Sequence, residues 1–165
     1  MLGIHGRLIS VLAAAACASA TGPALAAPAS PVPAQALQAA QAFAQSYWGA
    51  TPCAGQIAIS WMTLSPGTNA TSTWTNPAGQ YADAPSNTAC AIAFNAALSW
   101  DWPKLCSVVT HEYGHLLGHA HSSVTADVMY PYYLAPIAGC AQLIPRWLRG
   151  AKPRTREQAH RHGSR

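Results

Sequence analysis

Apolar positions recur along this chain with two periods, and the changes of period divide it into elements. In "AQALQAAQAFAQSYWG", residues 34–49, Leu37, Ala40, Phe43 and Tyr47 fall at helical spacing and Gly49 supplies a stop, which predicts one short amphipathic helix. "QIAISWM" at 56–62 alternates instead, with Ile57, Ile59 and Trp61 on one face and Ala58, Ser60 and Met62 on the other. That is the pattern of a strand with one buried face. A second strand is "CAIAF", with Cys90, Ile92 and Phe94 aligned. Residues 65–89, rich in Ser, Thr, Asn, Pro and Gly, have loop composition, interrupted by "STWT" as a third short strand. The helical period returns in "WPKLCSVVTHEYGHLLGH", where Leu105, Val108, Val109, Leu116 and Leu117 form an apolar side. Pro103 suits the first turn of this helix, and Gly118 suits its end because glycine accepts the left-handed conformation of a helix stop.

Both ends of the chain fall outside these patterns. Arg7 precedes the apolar run "LISVLAAAACASA", too short to span a bilayer as a mature helix, and "ALA" at 24–26 offers the small residues a signal peptidase inspects. Residues 1–26 therefore read as a signal peptide, residues 27–145 as one domain, and secretion as the destination, with no transmembrane segment in the mature form. An alternative takes "AAAC" ending at Cys17 as a lipid-attachment box, though it lacks the usual leading Leu. Residues 146–165 hold too few apolar side chains to pack and read as a basic, disordered tail.

Composition refines this division. A chain of 165 residues that is 50% hydrophobic and carries six tryptophans suits a single domain with a real core. The formal charge of +4 belongs to the tail, because seven of the nine Lys and Arg residues follow residue 145. From Ala27 to Pro145, Lys104 is the one basic residue, against Asp83, Asp101, Glu112 and Asp127. The tail could meet anionic polymers by charge alone, but no specific nucleic-acid partner is expected. Setting Cys17 aside leaves Cys53, Cys90, Cys106 and Cys140, an even number that implies two disulfides in a secreted chain. Sequence leaves three connectivities open; Cys53–Cys90 between sheet segments and Cys106–Cys140 from the helix to the tail is the expected pairing. No C-x-x-C pair occurs, which argues against a structural zinc held by these cysteines.

A chain only 8% charged nevertheless gathers four of its seven histidines and one of its two glutamates into "HEYGHLLGHAHS", residues 111–122. On a helix, His111 and His115 stand one turn apart and point the same way, so both imidazoles can reach one ion. Glu112 lies about 100° further around the axis, beside such an ion instead of in its coordination shell. A break at Gly118 lets the chain turn back and bring His121 in as a third ligand. Three histidines leave a fourth tetrahedral position open, which separates a catalytic zinc site from a closed structural one. All-nitrogen ligation suits zinc. His119 interrupts the spacing and reads as a polar surface residue, and His160 and His162 belong to the solvated tail.

The spacing resembles that of the metzincin metalloproteases, H-E-x-x-H-x-x-G-x-x-H, matched at His111, Glu112, His115, Gly118 and His121. Chance would place such a match in a chain of this composition about once in a hundred thousand. Ser122 after the third histidine is similar to the matrixin branch, and "DVMYPYY" resembles that branch's methionine turn, with Met129 as the floor beneath the imidazoles. Pro131 and Tyr133 match its specificity-pocket wall. The resemblance implies an α+β fold in which a small mixed β-sheet packs on the zinc-binding helix. It also implies a monomeric, secreted zinc endopeptidase acting on protein or peptide substrates. In that role Glu112 assists the attack of zinc-bound water on the peptide bond. Departures are also visible: no cysteine-switch propeptide, no histidines between His5 and His111 for a structural zinc, and only three aspartates in the core, which argues against calcium sites. The competing reading is a catalytically silent, zinc-containing secreted binding domain, against which stand the intact Glu112 and Met129. An edge strand, for which "QIAISWM" is the candidate, would align an extended substrate by strand addition.

Overall fold

The computed structural model describes residues 30–79 and 86–143. The signal peptide, the Cys17 box, Asp83 and the basic tail lie outside the described residues. The elements run α1 (Ala34–Trp48), β1 (Ile57–Met62), β2 (Ala70–Thr75), β3 (Thr88–Asn95), α2 (Trp102–Leu116) and α3 (Ala138–Gln142). This is the expected α+β class with a small mixed sheet. The strand order is β1-β3-β2, with β1 parallel and β2 antiparallel to β3. Among the described residues, no helix is long and apolar enough to cross a membrane.

Alternation along the strands fixes which face packs. Ile59 and Trp61 of β1 stand beside Ile92 and Phe94 of the central strand, and on its other side Ser72 and Ala70 of β2 stand beside the same two residues. Ile92 and Phe94 are fully buried. Trp61 and Phe94 stack at 5.0 Å between ring centroids, and Trp100 meets each edge-on at 5.6 Å while its indole N–H donates to the Asn95 carbonyl at 2.9 Å. These rings close one end of the core. Between the pairs Thr73–Ala91 and Thr75–Thr88 the register shifts, so β3 carries one extra residue, and Ala89 at φ 47° takes up the bulge.

The opposite layer is helical. α2 begins where the Asp101 carboxylate accepts the Lys104 amide at 2.9 Å, with proline in the first turn as expected. It is buried nearly all round, because the sheet covers one side and α1 the other. Its serine and threonine hydroxyls bond within the helix: Ser107 donates to the Pro103 carbonyl at 2.7 Å and Thr110 to that of Cys106 at 2.8 Å. For α1 the expected apolar stripe holds at Ala40 and is corrected elsewhere. Its buried face is Ala36, Ala40 and Ala44, while Leu37 and Phe43 are half-buried at the margin and Tyr47 is 49% exposed. Three alanines one turn apart let α1 lie close against α2, and longer side chains can only flank such a contact. Gly49, at φ 64°, stops the helix as expected.

Both disulfides pair as expected. Cys53–Cys90 ties the turn at 52–55 to β3, and Cys106–Cys140 ties α2 to α3. The turn needs that tie, since Cys53 and Ala54 both have positive φ (55° and 50°), at about 1–2 kcal/mol each for a residue with a Cβ. Cys106–Cys140 closes a loop with a sequence separation of 34 residues. Replacing both of these cysteines by serine should lower the unfolding free energy by about 2–4 kcal/mol in urea denaturation, and an unchanged midpoint would remove the bridge from the account of stability.

Candidate metal centre

His111 and His115 project from one face of α2, four residues apart, and His121 returns to them after the helix stops. The stop is a Schellman motif: Gly118 at φ 91° donates to the His115 carbonyl at 2.9 Å, and the His119 amide donates to that of Gly114 at 2.9 Å. A left-handed residue is required there, and Gly118 supplies it without a Cβ penalty. The amide of Ser122, the residue after His121, donates to the Met129 carbonyl at 2.9 Å, which joins the third histidine to the turn containing Met129.

The three imidazoles converge. His115 Nε2 lies 3.1 Å from the Nε2 atoms of both His111 and His121, and the candidate ligand atoms all lie within 4.8 Å of one another. Two nitrogens each about 2.0–2.1 Å from a tetrahedral ion would stand about 3.3 Å apart, so the donor set fits zinc. The ring protons are placed by the backbone. His111 Nδ1 faces the Val128 carbonyl at 2.7 Å, and His115 Nδ1 faces that of His119 at 2.9 Å. A carbonyl can only accept, so each Nδ1 carries the proton and each Nε2 keeps its lone pair free. Burial lowers the pKa of His111 and lowers that of His115 to about 4, which keeps both rings neutral and able to ligate.

Glu112, next in sequence, is only 4% exposed and lines the same cleft as the imidazoles. Burial pushes its carboxyl up to about 7, against the lowering effect of a hydrogen bond from Ser72. The cleft, of about 1040 Å³, is walled on one side by β2 and on the other by residues 125–139, including Pro131 and Tyr133. Tyr133 is half-buried against the core, whereas Pro131 is exposed. No residue of β1 lines it. The expectation that "QIAISWM" is the edge beside the site is therefore corrected: β1 is the far edge of the sheet and β2 the near one, because the later strand β3 pairs between them.

Several supporting residues were not read from the sequence. Gly114 lies where a Cβ would sit 2.3 Å from Met129 Sδ and 2.8 Å from Trp48 Cζ2. The methionine turn and α1 therefore both press on the helix between the two histidines. Trp48 donates to the Thr110 carbonyl at 2.8 Å and stacks on the His119 ring at 4.4 Å. His119 is exposed, as expected, but its carbonyl orients His115. Asp127 accepts the Met129 amide at 2.9 Å and holds the turn. A glycine inside an otherwise helical run and an aspartate two residues before Met129 were the available signals; for Trp48 there was none.

The sheet, the helix and the histidine triad together define the metzincin class of metallopeptidase. The family model for matrixins matches residues 38–143, and the chain belongs to that zinc-dependent family of peptidases. No curated protein matches the chain. Because Met129 and Trp48 leave no room at Gly114, Gly114→Ala should cost about 1–3 kcal/mol of stability in urea denaturation by overpacking, and a midpoint equal to wild type would show that this contact relaxes freely.

Proposed function

We propose that the chain is a secreted, monomeric zinc metalloendopeptidase in which residues 1–26 direct export, residues 27–145 form the catalytic domain and residues 146–165 a basic tail. The observation that carries this reading is the buried Glu112 carboxyl in the same cleft as three converging imidazoles. His111, His115 and His121 would hold one zinc ion through Nε2. When bound, zinc supplies Lewis-acid polarisation of a peptide carbonyl and lowers the pKa of water. Glu112 accepts a proton from the attacking water on its carboxylate and returns it to the leaving amine nitrogen. A carboxyl raised toward neutrality by burial is suited to both transfers.

The walls of the cleft suggest how the substrate lies. Among the described residues β2 pairs with β3 on one side, and its other side faces the cleft, where an extended peptide would add as a strand. Opposite it, Pro131 and Tyr133 form the pocket wall, with Val108 and Ile137 deeper in the same cleft. Met129, 4% exposed, serves as the apolar floor under the histidines. Two disulfides support an oxidising, extracellular setting.

Casein cleavage by the oxidised protein, with and without a zinc chelator, tests this reading beside Glu112→Ala. Cleavage should be chelator-sensitive and should fall at least about 100-fold in the variant, which keeps one zinc per chain. Turnover retained by Glu112→Ala would remove Glu112 from the reaction.

A further inference from the structure

Ser72 is a polar residue in an inward-facing row of the sheet, beside the fully buried Ile92. Its Oγ lies 2.5 Å from Glu112 Oε2 and 3.2 Å from the Glu112 backbone carbonyl. One hydroxyl has one proton, and the nearer acceptor, the carboxylate oxygen, forms the stronger bond. The carboxylate is almost wholly removed from water, so this contact replaces solvation it has lost.

We propose that Ser72 is a positioning residue for the peptidase reaction: it fixes Glu112 Oε2 to the sheet and thereby presents Oε1 to the cleft. The inference rests on the role proposed above for Glu112. It also links two parts of the site. β2 carries Ser72 on its inward face and forms the near edge of the cleft, so a peptide added along that strand is registered against the same residue that orients the carboxylate. Without Ser72, Glu112 would still be beside the imidazoles, but its side chain would sample other rotamers.

Three substitutions separate orientation from packing. Ser72→Thr keeps the hydroxyl, Ser72→Val has threonine's shape without it, and Ser72→Ala removes both. Steady-state cleavage of a peptide should show kcat lowered by about 10- to 100-fold in the Ala and Val variants, with KM within about twofold of wild type and zinc content unchanged. The Thr variant should recover most of the loss. Independently of activity, three-bond carbon couplings of the Glu112 side chain in the metal-free protein should report one rotamer in wild type and Thr, and averaging in Ala and Val. Equal kcat for the Thr and Val variants, or a single Glu112 rotamer in all four proteins, would overturn the proposal. If the wild-type protein cleaves nothing, the catalytic reading of Glu112 fails, and the couplings alone decide whether Ser72 orients it.

Discussion

Three imidazole nitrogens must meet within a few ångströms, and the rest of the structure follows from that requirement. A single helix can supply two of them, because only positions one turn apart share a face. It cannot supply the third at the necessary angle. The helix has to end three residues after His115, in a conformation that only Gly118 adopts cheaply, so that His121 comes back over the same face. Carbonyls of Val128 and His119 then set the proton positions, which places one orienting group in the turn before Met129 and the other in the helix stop itself.

Placing this helix in the interior gives the site its electrostatics and makes its neighbours exacting. Removal from water lowers the pKa of His111 and His115 and raises that of the Glu112 carboxyl. The same burial calls for partners for the polar side chains along the helix: Ser107 and Thr110 bond back along it, and Glu112 receives Ser72 from the sheet. Gly114, pressed by Met129 and Trp48, shows how closely the methionine turn and α1 approach the helix. The Cys106–Cys140 bridge and the bond from the Ile137 amide to Ser107 Oγ at 3.1 Å hold the far wall of the cleft on α2. Two of the three candidate ligands and the far wall of the cleft are thus mounted on one rod.

Local periodicity made much of this legible. The spacing of His111, Glu112, His115, Gly118 and His121 names the ligand candidates because helix geometry alone brings them together, and the alternation in "QIAISWM" and "CAIAF" marks the buried faces of β1 and β3 correctly. Non-local facts were not legible. Which strand becomes the near edge depends on the later strand inserting between two earlier ones, so β1 was expected where β2 stands. Hydrophobicity favoured Leu37, Ala40, Phe43 and Tyr47 as the packing stripe of α1, whereas close approach of two helices selects Ala40 with Ala36 and Ala44. Ser72 opens "STWT", which reads as a short strand, but no local pattern reveals its contact with Glu112, which spans 40 residues of sequence.

X-ray absorption at the zinc edge of the metal-loaded protein tests the central claim most directly. Three imidazole nitrogens with one further light oxygen donor at about 2.0–2.1 Å, and no sulfur, are predicted. Sulfur scattering near about 2.3 Å, or a shell without imidazole, would contradict the convergence of His111, His115 and His121 on one ion.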